Sequence, residues 1–133
     1  DKAPTQMAAL MDQIVPTFLE PVTDTKKQVK AAALNCLNKC TTCVGNNDLE
    51  PRLQDIVSCV KDQNKTAEVL HTLAGTAFVQ TVETQALAIC VPLLVRGLRE
   101  KKVGPKRQTC QIIINMAKPV SYTHWTLPTT YYL

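Results

Sequence analysis

Apolar side chains return at steps of three and four residues in one segment after another, and short turns separate the segments. That period belongs to helices, since a half-buried strand would alternate every second residue. It predicts a first helix over about residues 5–20, bent at Pro16. A turn follows at Pro21–Thr25, where Asp24 suits the N-cap of the next helix. That helix should run to about Val44 on a buried stripe of Val29, Ala33, Cys36, Cys40 and Cys43. Gly45-Asn46-Asn47 is a stop signal. Asp48 can cap a third helix with Pro51 in its first turn and a stripe of Leu49, Leu53, Ile56 and Val60. Asp62–Lys65 reads as a turn, and Thr66–Gly75 as a short helix with Val69, Leu70 and Leu73 inward. Thr76–Val82 fits either a short helix or an extended link. Residues 84–100 are apolar around most of a helix, which predicts neighbours on most sides. Gly104-Pro105 restarts the chain into a last helix with Cys110, Ile113, Ile114 and Ala117 inward.

These segments pair, and the pairs look alike. Ile14-Val15-Pro16 and Cys90-Val91-Pro92 stand 76 residues apart, and basic residues open the partner helix in each case: Lys26, Lys27 and Lys30, then Lys106 and Arg107. The middle pair lacks the proline. Two helices per unit and a period near 40 (half of that separation) predict an all-α fold, a HEAT-type α-solenoid fragment of about three helix pairs. The domain reading is residues 1–119 as HEAT repeats and 120–133 as a non-native tail.

Length and composition set the outer bounds. A chain of 133 residues, 45% hydrophobic, can build one packed core and is too apolar for wholesale disorder. No run of about 18 apolar residues could span a membrane. The start at Asp1 shows neither a signal peptide nor an initiating Met, which reads as an excerpt from a longer, cytoplasmic protein. Six cysteines without a secretory signal read as reduced thiols.

The tail departs from the rest. Val120–Leu133 carries no charge, yet holds the only Trp and all three Tyr. Its first ten residues, Val-Ser-Tyr-Thr-His-Trp-Thr-Leu-Pro-Thr, resemble the translated read-through of a sequencing adapter, with Trp125 in place of the familiar Leu. The alternative is a genuine extended tail. His124 and Trp125 are therefore set aside as site residues.

Little else suggests chemistry. Cys36-x-x-x-Cys40-x-x-Cys43 has a spacing used by iron–sulfur clusters and contains a C-x-x-C zinc or redox spacing. A metal or redox enzyme built on these thiols is one rival reading. The three also continue a helical stripe, where cysteine packs as a small apolar residue, and that reading is preferred. His71 has no partner carboxylate or second histidine near it in sequence, so a packing or capping role is expected. No phosphate-binding G-x-x-x-x-G-K-[ST] loop, G-x-S-x-G elbow or H-E-x-x-H helix is present. No catalytic, cofactor-binding or metal-binding residue is assigned.

Charge is the functional lead. Residues 1–95 hold 8 basic against 10 acidic side chains, whereas residues 96–107 hold Arg96, Arg99, Lys101, Lys102, Lys106 and Arg107 against Glu100 alone. In a solenoid these turns line one edge, and Lys26, Lys27 and Lys30 should project along it. Such a ridge could neutralise phosphates. The plainer alternative is a solvated charged turn. No aromatic side chains interleave with the basic ones, so base stacking is not indicated. A folded RNA backbone or an acidic protein fits better than DNA.

Several runs together carry a resemblance. They are Asp24-Thr25-Lys26-Lys27-Gln28-Val29-Lys30-Ala31-Ala32-Ala33, Asn47-Asp48-Leu49-Glu50, Thr76-Ala77-Phe78-Val79 and Val91-Pro92-Leu93-Leu94-Val95-Arg96-Gly97-Leu98. Lys106-Arg107 followed by Ile112-Ile113-Ile114-Asn115-Met116 completes the series. Over roughly Met7–Lys118 the chain resembles the N-terminal HEAT repeats of the translation elongation factor 3 family. The resemblance implies a fungal-type ribosomal ATPase of the ABC class, whose HEAT array grips rRNA and ribosomal proteins. ATP and Mg would serve downstream domains that release exit-site tRNA, and this segment would hold no cofactor. Neighbouring repeats of the parent chain would be its other partners, with no membrane contact. The alternative is a HEAT protein-binding scaffold outside elongation: kinase-activator-like, or a transport or cytoskeletal adaptor.

Overall fold

The computed structural model describes residues 3–118. It contains six α-helices: α1 (Pro4–Val22), α2 (Lys27–Thr41), α3 (Leu53–Lys61), α4 (Thr66–Ala74), α5 (Thr84–Arg99) and α6 (Val103–Ala117). They form three antiparallel pairs, α1/α2, α3/α4 and α5/α6, the all-α solenoid arrangement that the period predicts. The tail reading lies outside the described residues.

α5 is the central helix. It packs against α1, α3, α4 and α6. Ile89, Cys90, Leu93 and Leu94 are buried there, meeting Met11 and Val15 of α1, Ile56 of α3, Leu70 of α4 and Ile112 of α6 in one continuous core. The middle unit is small. α3 and α4 have nine residues each, against nineteen in α1 and sixteen in α5. α1 and α5 therefore reach past α3 and touch each other directly. That contact explains why the middle pair matches the repeat poorly.

The helices approach closely at Gly97, near the end of α5. A Cβ there would lie 2.1 Å from Thr109 Oγ1 and 2.9 Å from Leu70 Cδ1. Thr109 is fully buried on α6, and its hydroxyl donates to the Pro105 carbonyl at 2.8 Å. The missing side chain lets α5, α4 and α6 converge on one point.

Several expectations need correction. Pro21 stays inside α1, so the first turn starts only at Thr23. α2 begins at Lys27 with Lys26 as its N-cap, and Asp24 instead closes the turn by accepting the Lys26 N–H at 2.7 Å. The buried face of α2 is Ala33, Leu37, Cys40 and Thr41, whereas Val29 and Cys36 are exposed and Cys43 is half-buried. The larger Leu37 draws the helix round, and the cysteine stripe turns partly to solvent. α6 buries Thr109 and Ile112, leaving Cys110, Ile113, Ile114 and Ala117 exposed. α5 leaves an apolar row of Leu87, Val91, Val95 and Leu98 exposed, while neighbours cover most of the rest of its circumference, as its pattern predicts.

The loop after α2 also differs from expectation. Asp48 caps no helix. Asn46, nearly buried, accepts the Asp48 and Leu49 N–H groups on Oδ1 and donates from Nδ2 to the Thr81 carbonyl. Asp48 Oδ2 accepts the Val79 and Gln80 N–H groups at 2.9 and 2.8 Å, and Gln80 Oε1 accepts the Asn47 N–H. The ambiguous segment Thr76–Val82 is thus an extended link, stitched to a loop more than thirty residues earlier.

Two outcomes follow. Gly97→Ala should lower the unfolding free energy by about 1–3 kcal/mol, because overpacking outweighs the gain in helix propensity. Adding Thr109→Ala should restore part of that stability in urea melts, whereas Gly104→Ala, with open space at its Cβ, should leave stability unchanged or slightly raised. Asp48→Ala should accelerate amide hydrogen exchange at Val79 and Gln80 and leave α5 protected; unchanged rates at both amides would deny the clamp.

Candidate nucleic-acid interface

The basic residues sit where helices end and begin. Arg99 is exposed in the last turn of α5, Lys101 and Lys102 are exposed in the turn, and Lys106 and Arg107 are exposed in the first turns of α6. Lys26 and Lys27 are exposed at the start of α2, with Lys30 half-buried one turn on. Neither start has an acidic residue in its first turn, as is also true of α1 and α5, and at α2 the Asp24 carboxylate accepts the Lys26 N–H just before the helix.

The two turns lie on one edge. Thr23, at the end of α1, lines the same groove as Gln63 after α3 and Arg96 and Arg99 of α5. Lys26 follows Thr23 within three residues, a reach of about 10 Å. The turns that carry Lys26 and Lys27, and Lys101 and Lys102, thus follow helices whose ends border one groove. Arg96 departs from the expected role. It is half-buried, and its guanidinium donates to the Cys59 carbonyl at 2.5 Å, closing the last turn of α3. It ties α5 to α3 and offers little to a ligand at the rim.

The other candidates resolve simply. Cys36, Cys40 and Cys43 border one hollow together with Met7 and Phe18. Among the described residues no group of three His, Cys, Asp or Glu side chains is placed to hold a metal ion. All six cysteines are free thiols. Burial pushes the Cys40 thiol up, and the neighbouring Cys43 and Cys36 add to the shift. Burial also pushes Cys59 up to about 11 despite the opposing charge of Arg96, and Cys90 up to about 12. His71 is exposed, not packed, and its Nδ1 pairs with Gln108 Nε2 at 2.8 Å, linking α4 to α6. No helix among the described residues is long and apolar enough to cross a membrane.

Sequence reasoning missed a groove between α1 and α5. It is lined by Pro16 and Pro92, among others. The signal was present in the repeated Ile-Val-Pro and Cys-Val-Pro, which mark equivalent helices now lying side by side.

The thiols give a direct check. At neutral pH, Cys36 and Cys110 should alkylate first, and Cys90 only after unfolding, as read by mass spectrometry. Because the folded pKa values of Cys59 and Cys90 lie above the ordinary value of 9.0, the folded state holds those protons longer. Stability is full below pH 9 and should fall as pH rises from about 9 toward 11.

The fold is an all-α segment of stacked helical repeats with exposed basic side chains at two of its turns. The family described as Elongation factor 3/GNC1 HEAT repeat matches residues 64–128. The chain is 42% identical over 120 residues to elongation factor 3A of Saccharomyces cerevisiae, covering 90% of this chain and 12% of that protein. It is 44% identical over 116 residues to elongation factor 3 of Phytophthora infestans, covering 87% and 11% respectively. Elongation factor 3 of Candida albicans is 38% identical over 120 residues, with 90% and 11% covered. The chain is a HEAT-repeat segment of the elongation factor 3 family. It spans about an eighth of the length of these curated relatives.

Proposed function

We propose that this segment docks a translation elongation factor on the ribosome, with its basic rim against rRNA phosphates and acidic patches of ribosomal proteins, in the cytoplasm. The observation that carries this reading is the run of exposed lysines and arginines at the starts of α2 and α6 and in the turn between α5 and α6. Helix N-termini and long cationic side chains both attract phosphate oxygens, and neither demands a particular base. Single-stranded stacking is disfavoured, because the described aromatics are only Phe18 and Phe78, both partly buried. ATP hydrolysis, with its nucleotide and Mg, belongs in this reading to other parts of a longer protein. The names of the relatives favour elongation over a stand-alone scaffold.

The test is charge reversal. Arg99, Lys101, Lys102 and Lys106 changed together to Glu should reduce co-sedimentation with ribosomes. The slope of log K against log salt should shrink by up to about 0.7–0.9 for each phosphate that is no longer neutralised. Binding that is unchanged at every salt concentration would sink the rim assignment. Arg96→Lys should instead cost stability, with ribosome affinity unchanged once folding is restored at lower temperature.

A further inference from the structure

The groove between α1 and α5 encloses about 740 Å³ and lies inside the described repeats. Its walls are mainly apolar: Pro16 and Leu19 from α1, Val91, Pro92 and Val95 from α5, with Val60 of α3 at its border. Val91 is 46% exposed and Val95 40%, an uncommon exposure for two neighbouring valines on a central helix. The start of α1 lies by the end of α2, and the loop after α2 is hydrogen-bonded to Thr81 just before α5, so α1 and α5 run parallel; Pro16 and Pro92 both line the groove. Each proline lacks an N–H, so the Asp12 and Ala88 carbonyls lose their donors four residues on. Asp12 and Ala88 both line the groove.

The charges at its two ends are opposite. Asp12 is the groove residue of α1 nearest its N-terminus, while Arg99 lies in the last turn of α5, and the N-terminal ends of the two helices lie at the same end. From Asp12 to Thr23 the α1 wall runs about 16 Å at helical rise, which is three turns of helix. We propose that this groove docks a short amphipathic helix of a partner protein, acidic in its first turn. The acidic turn sits against Arg99, and basic residues at the far end meet Asp12. Helices favour acidic residues at their N-termini, so the docked helix runs antiparallel to α1 and α5, with opposed dipoles. Its leucine or valine face fills the space between the prolines, in the helix-in-groove manner. This inference does not rest on ribosome docking. It concerns an apolar groove that shares only Arg99 with the basic rim.

The experiment is a fluorescence anisotropy titration of the 133-residue chain. The probe is a synthetic helix of about 12 residues with glutamates in its first turn, lysines in its last, and leucines at i, i+3, i+4 and i+7. A second peptide exchanges the glutamates and lysines. The first should bind at least about ten-fold more tightly than the second. Asp12→Lys with Arg99→Glu, both at exposed positions, should invert that preference, and circular dichroism checks that the variant folds. Equal affinity for the two peptides, or no binding of either, overturns the proposal without need of any variant. A preference that survives the double reversal overturns it as well. Self-association of the chain that Val91→Glu abolishes, without peptide binding, would give the groove to a second copy. Failure of a longer natural chain to bind the peptide that the 133-residue chain binds would give it to a segment of that chain. Either result overturns the partner assignment.

Discussion

Everything in this molecule leans on the burial of α5. Four of the other five helices pack on it, and each contributes at least one fully or nearly fully buried side chain to the core around it. Gly97 is the point where that burial is most demanding, because α6 approaches through a buried threonine and α4 through Leu70. A hydrophobic core rewards area removed from water, and close packing determines how much area can be removed. A single absent side chain lets three helices share one contact. The convergence also sets the direction of α6, and hence where its basic first turn emerges.

The small middle unit has wider consequences than its size suggests. Nine-residue helices cannot separate α1 from α5 along their whole length, so the outer units meet over α3. Arg96 holds α3 against α5 by completing its last turn, and the Asn46–Asp48 clamp holds the loop that would otherwise let α3 swing. These polar ties are directional, whereas apolar packing is not. They place the ends of α1, α3 and α5 on one edge, and with them the rim that carries most of the excess positive charge. The same approach of α1 to α5 leaves a groove with opposite charges at its ends. Rim and groove are thus two results of one short repeat.

Much of the secondary structure is legible from residue spacing. Every helix lies within a few residues of the place that spacing predicts, and the 76-residue echo of Ile-Val-Pro in Cys-Val-Pro identifies equivalent helices. The capping residues are less legible. Asp24 and Asp48 have the right chemistry for N-caps, yet each spends its carboxylate on other N–H groups, one two residues ahead and the other across the fold. A side chain's hydrogen-bonding capacity is local, but its partner is whichever donor the packing delivers. Which of two possible apolar stripes turns inward is equally hidden on α2 and α6. Both stripes have helical spacing, and only the position of the neighbouring helix distinguishes them.

The sequence by itself determined the all-helical class, the pairing of the helices, the gathering of positive charge near two turns and the kinship with elongation factor 3 repeats. These follow from periodicity, turn chemistry and residue identity, which are properties of neighbours along the chain. The tertiary structure alone decided that Arg96 belongs to the scaffold, that the cysteine run lies half in solvent, and that α1 and α5 share a groove. Those outcomes depend on contacts between residues tens of positions apart, where the packing of one helix sets what the next can reach. No local pattern encodes such a distance.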